Sequence, residues 1–472
     1  MMLLNRRTML GGFAGAMIVP MVTGAARSSE TVRQLTVSKR ILEVKGRAAS
    51  VYGLTGQNGK PGLELLLDEP FRVALRNGTD TGTLIHWHGL TPPNAQDGVP
   101  MLSQAPLKPG ETYQYDFHNR RSGTHWMHSH VGLQEQQLLA APLIVRETAE
   151  MLFDTQEHVV LLHDFTFRDP QEILAELTGG GGAHAGHKMD HSKGASGGMM
   201  MAGMLNDVVY DAYLANDRTL DDPEIVTVEK GGVLRLRIIN GAAASNMWID
   251  LGGLTGELVA VDGNAIHPVT ATVFPLAIAQ RADIRLRIPK EGGAFPIMFR
   301  PEGVGGRTGI ILATPGAAIT RQVSDGEVAP AADLSQERIY RAVAKLREEP
   351  VHRTEVVMLT GGGPDYVWGL NGKSGMHETV FSVREGERIS VVMHNMTGMA
   401  HPMHLHGHYF KVTAIGDTAI DGAIRDTVLV PSSETVTVIF DADNPGTWAF
   451  HCHHAYHMNS GMMGTIAYTS AA

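Results

Sequence analysis

The sequence predicts an all-β protein made of three consecutive β-sandwich domains. Alternation of apolar and polar residues, which is typical of half-buried strands, dominates the chain, and helical periodicity is scarce. In addition, two strand patterns recur three times in the same order. Repetition at domain-sized intervals indicates three homologous modules, because chance likeness among strands would not preserve the order of two patterns.

The two repeated patterns locate the domains. The first is an alternating strand that ends in asparagine at a turn, at residues 71–77, 234–240 and 389–395. The second is an alternating strand, a glycine turn and a short strand, at residues 112–128, 283–298 and 436–451. We therefore expect domains at residues 28–148, 149–318 and 351–472, with a polar, partly helical connector at residues 319–350.

The composition is typical of a soluble globular protein with several cores. Of the 472 residues, 43% are hydrophobic and 19% are charged. The formal net charge of −10 argues against nucleic acid as a partner, since proteins that bind it carry a basic surface. The one cysteine, Cys452, cannot form a disulfide within the chain, so it would act as a nucleophile, a redox sensor or a metal ligand.

The first residues read as an export signal, which we place at residues 1–27. The pair Arg6-Arg7 precedes an apolar, glycine-rich stretch that ends in small residues near Ala25 and Ala26. The motif implies the twin-arginine export machinery as a partner and the periplasm of a Gram-negative cell as the destination. A membrane anchor is the alternative, but the stretch is short and broken by glycines, and no later segment is apolar enough to span a bilayer.

Four His-x-His pairs carry the strongest chemical signal. Residues i and i+2 of a β-strand point to the same side, so each pair can direct two imidazoles at one place. Together the four pairs offer eight neutral imidazoles, and imidazole is a suitable ligand for copper. Because two pairs lie in the first domain and two in the third, we expect the cluster at the interface of these domains. The pairs are His86/His88, His128/His130, His404/His406 and His451/His453.

Cys452 lies between the histidines of the last pair and points to the opposite side of the strand. If Cys452 binds one metal ion while its two neighbours bind others, two short covalent paths would carry electrons between the sites. Two histidines, one cysteine and a weak axial methionine form the ligand set of a blue-copper site. The alternative, a buried inert thiol, does not explain the flanking histidines. The candidates that complete the set are His401, His457 and Met462.

These motifs resemble the four copper motifs of the multicopper oxidase family, in the same order and over nearly the whole mature chain. The matching segments are His86-Trp87-His88-Gly89, His128-Ser129-His130, residues 401–407 and residues 451–462. The resemblance implies cupredoxin-like Greek-key domains and four copper ions. Two further segments, Gln134-Glu135-Gln136 and Tyr456-His457-Met458, are similar to bacterial copper-resistance members of the family.

The resemblance also implies which residues bind each copper ion. The type 1 ion would be bound by His401, Cys452, His457 and Met462, and the type 2 ion by His86 and His404. The type 3 pair would be bound by His88, His128 and His453 at one ion and by His130, His406 and His451 at the other.

Two acidic positions bear on proton supply. Asp97 matches the family's carboxylate near type 2 copper, although an aspartate before glycine is also an ordinary turn residue. Many relatives carry an acid directly after the last type 1 histidine, where this chain has Met458 and then Asn459. Proton delivery from that side would therefore need a substitute, for which Glu135 is a candidate.

Residues 179–204 form an insert in the second domain that is rich in Gly, His and Met. Imidazole and thioether groups favour Cu(I), so the insert is a candidate accessory site, with drifted loop composition as the alternative. Its candidate ligands are His184, His187, Met189, His191, Met199, Met200, Met201 and Met204. Met399 and Met403, together with Met396, form a second candidate group beside His401, for which core packing is the alternative.

The sequence therefore predicts an enzyme linked to copper tolerance. A donor, either a phenol as in laccases or Cu(I), would lose single electrons at the type 1 copper, and dioxygen would be reduced to water at the three-copper cluster. A non-catalytic periplasmic copper-sequestering protein is the alternative, but storage needs no His-Cys-His relay. A scaffold role does not explain an intact ligand set, and the third domain excludes a two-domain copper nitrite reductase.

Overall fold

Alternating strands dominate the chain, and three sandwiches of two sheets each follow one another between Arg33 and Tyr468, which confirms the predicted fold class. The computed structural model describes residues 32–67, 69–150, 155–179 and 205–469. The predicted export signal and the candidate ligands of the insert lie outside these residues. Among the described residues, no helix is long and apolar enough to cross a membrane.

The first sandwich packs two four-stranded sheets, with strand orders β2-β1-β4-β6 and β3-β8-β7-β5. Their facing side chains form one buried core around Phe71, Trp87 and Tyr115. The strands are β1 (Arg33–Val44), β2 (Arg47–Gly56), β3 (Leu63–Leu66), β4 (Phe71–Asn77), β5 (Ile85–His86), β6 (Thr112–Phe117), β7 (Gly123–Ser129) and β8 (Ala140–Arg146).

The second sandwich has a six-stranded sheet, β10-β9-β12-β17-β14-β15, and a five-stranded sheet, β11-β19-β18-β13-β16. Asp169 caps the N-terminus of helix α1 (Pro170–Thr178), because its side chain accepts a hydrogen bond from the Gln171 backbone N–H. The strands are β9 (Gln156–Phe165), β10 (Ala212–Ala215), β11 (Glu224–Thr227), β12 (Val233–Asn240), β13 (Met247–Asp250), β14 (Gly256–Val261), β15 (Asn264–Ala271), β16 (Val273–Leu276), β17 (Arg281–Arg287), β18 (Ala294–Pro301) and β19 (Thr308–Ala313).

The third sandwich follows a connector that contains one 3-10 turn, Glu337–Ile339. Its sheets are β21-β20-β23-β29-β25-β26, with β27 paired to β25, and β22-β31-β30-β24-β28. The elements are β20 (Arg353–Gly362), β21 (Val367–Leu370), β22 (Thr379–Val383), β23 (Arg388–Asn395), β24 (His401–Leu405), β25 (Phe410–Ile415), β26 (Thr418–Ala419), β27 (Ile424–Arg425), β28 (Thr427–Val430), β29 (Thr435–Asp441), β30 (Thr447–Cys452), α2 (Ala455–Asn459) and β31 (Met463–Tyr468).

The asparagine that ends each copy of the first sequence pattern has the same structural role three times. Asn77, Asn240 and Asn395 are buried, and each side-chain oxygen accepts a hydrogen bond from the backbone N–H two residues later. Each side-chain amide donates to backbone carbonyls of neighbouring loops and strand ends. The repeated turn fixes the segment that enters the second sheet, which carries His86 in the first sandwich and His401 in the third.

Gly98 permits a close backbone approach beside the His86 strand, so we expect Gly98→Ala to destabilise the protein. Its φ is +85°, and an added Cβ would lie 1.9 Å from the Ile85 carbonyl oxygen. Gly110 is a matched control, with φ of +82° and no atom within 4 Å of an added Cβ. Alanine in the left-handed region should cost about 1–2 kcal/mol at either site, and the clash at residue 98 about 1–3 kcal/mol more. Unfolding followed by tryptophan fluorescence measures both, and equal losses would contradict the expectation.

Candidate metal centres

The four His-x-His pairs meet between the first and third sandwiches, and strand pairing within each sandwich places two of them side by side. In the first sandwich β5 pairs with β7, so that His86 lies opposite His128. In the third sandwich β24 pairs with β30, so that His404 lies opposite His451. All eight imidazoles are buried. The predicted meeting of the two outer domains is therefore seen as one cluster of rings, which we call the histidine cluster.

The donor atoms of the histidine cluster lie close enough to share metal ions. Three-residue groups whose ligand atoms lie within 4.8 Å of one another include His86/His404/His406, His86/His88/His128 and His130/His406/His451. Ring nitrogens of the two sandwiches also face each other directly. The Nε2 atoms of His130 and His451 are 3.4 Å apart, and those of His128 and His453 are 3.3 Å apart.

Oxygen acceptors around the cluster fix the tautomers of its rings. The Nδ1 atoms of His86 and His404 lie 2.9 and 2.8 Å from the backbone oxygens of Asp97 and Asp426. Because these oxygens can only accept, each Nδ1 carries the proton and each Nε2 keeps a lone pair. The Nε2 atoms of both rings are buried and have no hydrogen-bond partner. Buried lone pairs without donors are costly unless a cation binds them, so the residues present fit copper.

Burial lowers the pKa of seven of the eight imidazoles, and neighbouring imidazoles lower most of them further. The pKa of His451 falls to about 4. These rings are therefore neutral at neutral pH and need not lose a proton before they bind a metal ion. The others, each with a pKa well below that of free histidine, are His88, His128, His130, His404, His406 and His453.

A second group lies around the lone thiol in the core of the third sandwich. The Cys452 Sγ is 3.6 Å from the His401 Nδ1 and 3.8 Å from the His457 Nδ1. Met462 is fully buried, and its backbone hydrogen bonds with Cys452 and His457 hold it next to both. The indole of Trp368 lies 4.1 Å from the His457 ring, a contact that the motif pattern did not predict. We call Cys452, His401, His457 and Met462 the cysteine site.

The cysteine site and the histidine cluster share one strand. β30 ends at Cys452, and His451 and His453 on either side of it belong to the histidine cluster. The β-strand alternation inferred from the sequence therefore holds here: the thiol faces the sandwich core while its neighbours face the interface. One peptide bond joins Cys452 to His451 and one joins it to His453, so the two centres are directly linked along the chain.

Carboxylates surround the histidine cluster. The Asp97 Oδ2 lies 2.8 Å from the His406 Nδ1, and its Oδ1 lies 3.2 Å from the His86 Nδ1. The Glu135 Oε2 lies 2.9 Å from the His128 Nδ1, so the acid suggested as a substitute is at the cluster. Burial raises the pKa of Glu135 well above its usual range. The third, Asp426, was not predicted from the sequence, because no local pattern distinguishes it from other strand-end aspartates.

Asp207 was also missed by sequence reasoning, and it lies on the outer side of the cysteine site. Its Oδ2 is 3.3 Å from the His457 Nε2, and its Oδ1 is 3.2 Å from the His454 Nε2. The rings of His454 and His457 are stacked, with centroids 3.7 Å apart. Although burial alone would raise the pKa of Asp207, its interactions with the two histidines lower it well below its usual range. The Tyr366 hydroxyl also donates a hydrogen bond to Asp207.

The described residues on both sides of the insert reach this region. On one side, Ile173 and Leu177 of α1 pack in the same core cluster as Cys452. On the other side, Asp207 contacts His457. The methionines near His401 differ in exposure: Met403 is fully buried opposite Cys452, Met399 is half-buried, and Met396 is 66% exposed. Core packing therefore accounts for the position of Met403.

Comparisons with known proteins agree with the motif pattern. Three family models, each described as multicopper oxidase, match residues 36–150, 156–324 and 348–472. The chain is 30% identical to multicopper oxidase MmcO of Mycobacterium tuberculosis, covering 89% of this chain and 83% of that protein. It is 25% identical to copper resistance protein A of Escherichia coli, covering 94% and 93%. The fold is similar to that of Fet3p, a multicopper oxidase that functions in iron import, with a TM-score of 0.77 at 18% identity over 92% and 90% of the chains.

The two centres should respond differently to pH when copper binds. Burial raises the pKa of the Cys452 thiol, so binding there must release one proton and should weaken about tenfold for each unit that the pH falls. Seven imidazoles of the histidine cluster have lowered pKa values, so their affinity for copper should change little between about pH 7 and pH 5.5. Copper titration of the metal-free protein against a competing chelator, at several pH values, measures both slopes. A steep slope at the cluster would contradict the expectation.

Proposed function

We propose that this chain, which belongs to the multicopper oxidase family, couples four one-electron oxidations of a cuprous donor to the reduction of dioxygen to two waters. The family makes the chain an oxidoreductase that contains copper and uses oxygen. The observation that carries the proposal is the shared strand β30, which joins the cysteine site, suited to one copper ion, to the histidine cluster, suited to three.

We assign the metal ligands as the family resemblance implies. The type 1 ion would be held by His401, Cys452, His457 and Met462, and the type 2 ion by His86 and His404. One type 3 ion would be held by His88, His128 and His453, and the other by His130, His406 and His451. Distances support three parts of this division: Cys452 lies with His401 and His457, His130 lies with His406 and His451, and His128 lies with His453. When bound, copper supplies the one-electron redox chemistry at both centres.

The residues of the chain contribute connection, orientation and exclusion of water. With copper bound at both centres, Cys452 and the peptide bonds to His451 and His453 would connect the ion beside His457 to the cluster. Complete burial of these side chains keeps water and small oxidants away from the path. Reduction of dioxygen to water also consumes protons, and two of the three buried carboxylates at the cluster, Asp97 and Glu135, are placed to pass them on.

Two observations favour a small cation over a phenol as the donor. His457 has no exposed surface, because Asp207 and the aromatic rings of Tyr366 and Trp368 cover it, so a phenol ring cannot lie against it directly. The covering group is a carboxylate whose pKa the two neighbouring histidines hold well below its usual range, so a negative charge that attracts a cation lies at the point of electron entry. The relative named copper resistance protein A supports a role in copper tolerance.

A copper-sequestering protein is the second candidate, and the 179–204 insert would then be its working part. The arrangement of Cys452 between two histidines of the cluster argues against it, since storage needs no electron path. In either case we propose that the chain is exported through the twin-arginine route and acts in the periplasm, which rests on residues 1–27 of the sequence.

Oxygen consumption by the copper-loaded protein should depend on Cu(I) and on the insert. We expect deletion of residues 179–204 to lower kcat/KM for Cu(I) by about tenfold or more, because thioether and imidazole groups would no longer collect the ion. Turnover of dimethoxyphenol should not fall. The matched control keeps the length of the insert but replaces its histidines and methionines with glutamine and serine; it should behave like the deletion.

Each other outcome assigns a different function. Phenol turnover without Cu(I) turnover would make the protein a laccase and the insert a bystander. No oxygen uptake with either donor, at full copper content, would leave the sequestering protein as the function.

Asp207→Asn should lower kcat/KM for Cu(I) about tenfold while phenol turnover stays within about twofold, because the amide keeps the size of the side chain but removes its charge. Asp211→Asn is the control, since Asp211 lies on the same segment, is exposed and bonds to Thr166 and Phe167 instead of to histidine. Steady-state kinetics with both donors measure the effect. Equal losses with Cu(I) and phenol would show that Asp207 supports the type 1 site and does not select the donor.

A further inference from the structure

The second sandwich provides none of the metal ligands assigned above, yet one of its side chains reaches the histidine cluster. Arg281, the first residue of β17, is fully buried. Its Nη1 and Nη2 donate to the Oδ1 and Oδ2 of Asp426 in the third sandwich, at 2.8 and 2.5 Å. Its Nε donates to the Thr124 carbonyl on β7 of the first sandwich, at 3.1 Å. One guanidinium therefore joins all three sandwiches.

Asp426 passes this contact on to His88. The Asp426 Oδ1 lies 2.9 Å from the His88 Nε2, and the Thr427 hydroxyl lies 3.2 Å from the same nitrogen. His88 is thus turned the opposite way from His86 and His404: its Nε2 faces the carboxylate, and its buried Nδ1 has no hydrogen-bond partner. Only an acceptor at Nε2 keeps the proton there and leaves the Nδ1 lone pair for a metal ion.

Gly89 makes room for this arrangement. Its φ is +91°, and an added Cβ would lie 2.6 Å from the Arg281 Nη2 and 3.2 Å from the Asp426 Oδ2. The glycine that follows His88 therefore allows the ion pair to lie against the backbone of the motif itself. The His125 Nδ1 lies equally near, at 2.5 Å from the added Cβ, so a side chain at residue 89 would displace this imidazole as well as the ion pair.

The ion pair is also held from behind. Asp262 accepts a hydrogen bond from the Arg281 backbone N–H at 2.9 Å, and its side chain bonds to Arg425, which also contacts Glu337 in the connector. All of these groups are buried, so the planar guanidinium and the carboxylate have little freedom to reorient.

We infer that Arg281 is a positioning residue for the oxygen-reducing cluster: it clamps the Asp426 carboxylate that fixes the orientation and tautomer of His88. The inference rests on the proposed function, in which His88 binds a type 3 copper ion. Hydrogen-bond partners of metal ligands typically change metal affinity about 10- to 100-fold when they are removed.

The test compares Arg281→Lys with Arg237→Lys. Lysine keeps the positive charge but cannot form the paired contact with a carboxylate. Arg237 is the matched control because it is equally buried, also lies in the second sandwich and also contacts Thr124, but it pairs with Asp283 and Glu157 instead of Asp426. The readouts are copper per chain, the visible type 1 absorption and the near-ultraviolet absorption of the type 3 pair.

We expect Arg281→Lys to retain the type 1 band while copper affinity at the cluster falls about 10- to 100-fold and the type 3 band is lost in proportion. Arg237→Lys should retain both bands. The charge-neutral double variant Arg281→Gln/Asp426→Asn should be no worse than the poorer of its two single variants, because the arginine acts through the carboxylate.

Three results would overturn the inference. The first is a normal ratio of type 3 to type 1 absorption in Arg281→Lys. The second is the same loss in Arg237→Lys. The third is loss of both bands in every Arg281 and Asp426 variant, which would mean that the ion pair is needed for folding. Absence of the type 3 band from the unaltered, copper-loaded protein would instead refute the proposed function on which the inference rests.

Discussion

Eight buried imidazoles share one interface between the first and third sandwiches, and their lone pairs must be satisfied there. Backbone and carboxylate oxygens take up the ring protons on one side, for example at His86, His404 and His406. The opposite nitrogens then face each other without donors. Each unsatisfied buried group costs about 1–3 kcal/mol, so cations bound among them stabilise the folded chain as well as providing its redox chemistry.

The second sandwich supports both centres although it holds none of the assigned ligands. Its Asp207 covers His457 on the donor side, and its Arg281 reaches Asp426 on the cluster side. Burying such charged side chains costs desolvation energy, which their paired contacts with His457 and Asp426 offset. A ligand-free middle domain therefore has a function in the architecture: it sets the access to one centre and the orientation of a residue in the other.

The sequence predicted the fold class and the family, and both are confirmed. Period-two alternation and the repeated asparagine turns are local features, so they could be read directly. The carboxylates of Asp207 and Asp426 could not be found in this way, because each lies far along the chain from the histidine that it contacts. Their positions depend on how separate sandwiches pack, and no spacing rule records that packing.

The sequence by itself determined which side chains share a strand face: the His-x-His pairs, and Cys452 pointing away from His451 and His453. These relations follow from the two-residue repeat of a β-strand, which any strand imposes. Only the tertiary structure decided which ring nitrogen of each histidine faces the cluster, which acids hold the rings, and how deeply His457 is covered. Those outcomes depend on contacts between residues from different domains, and hydrogen bonding has too short a range for one segment to specify them alone.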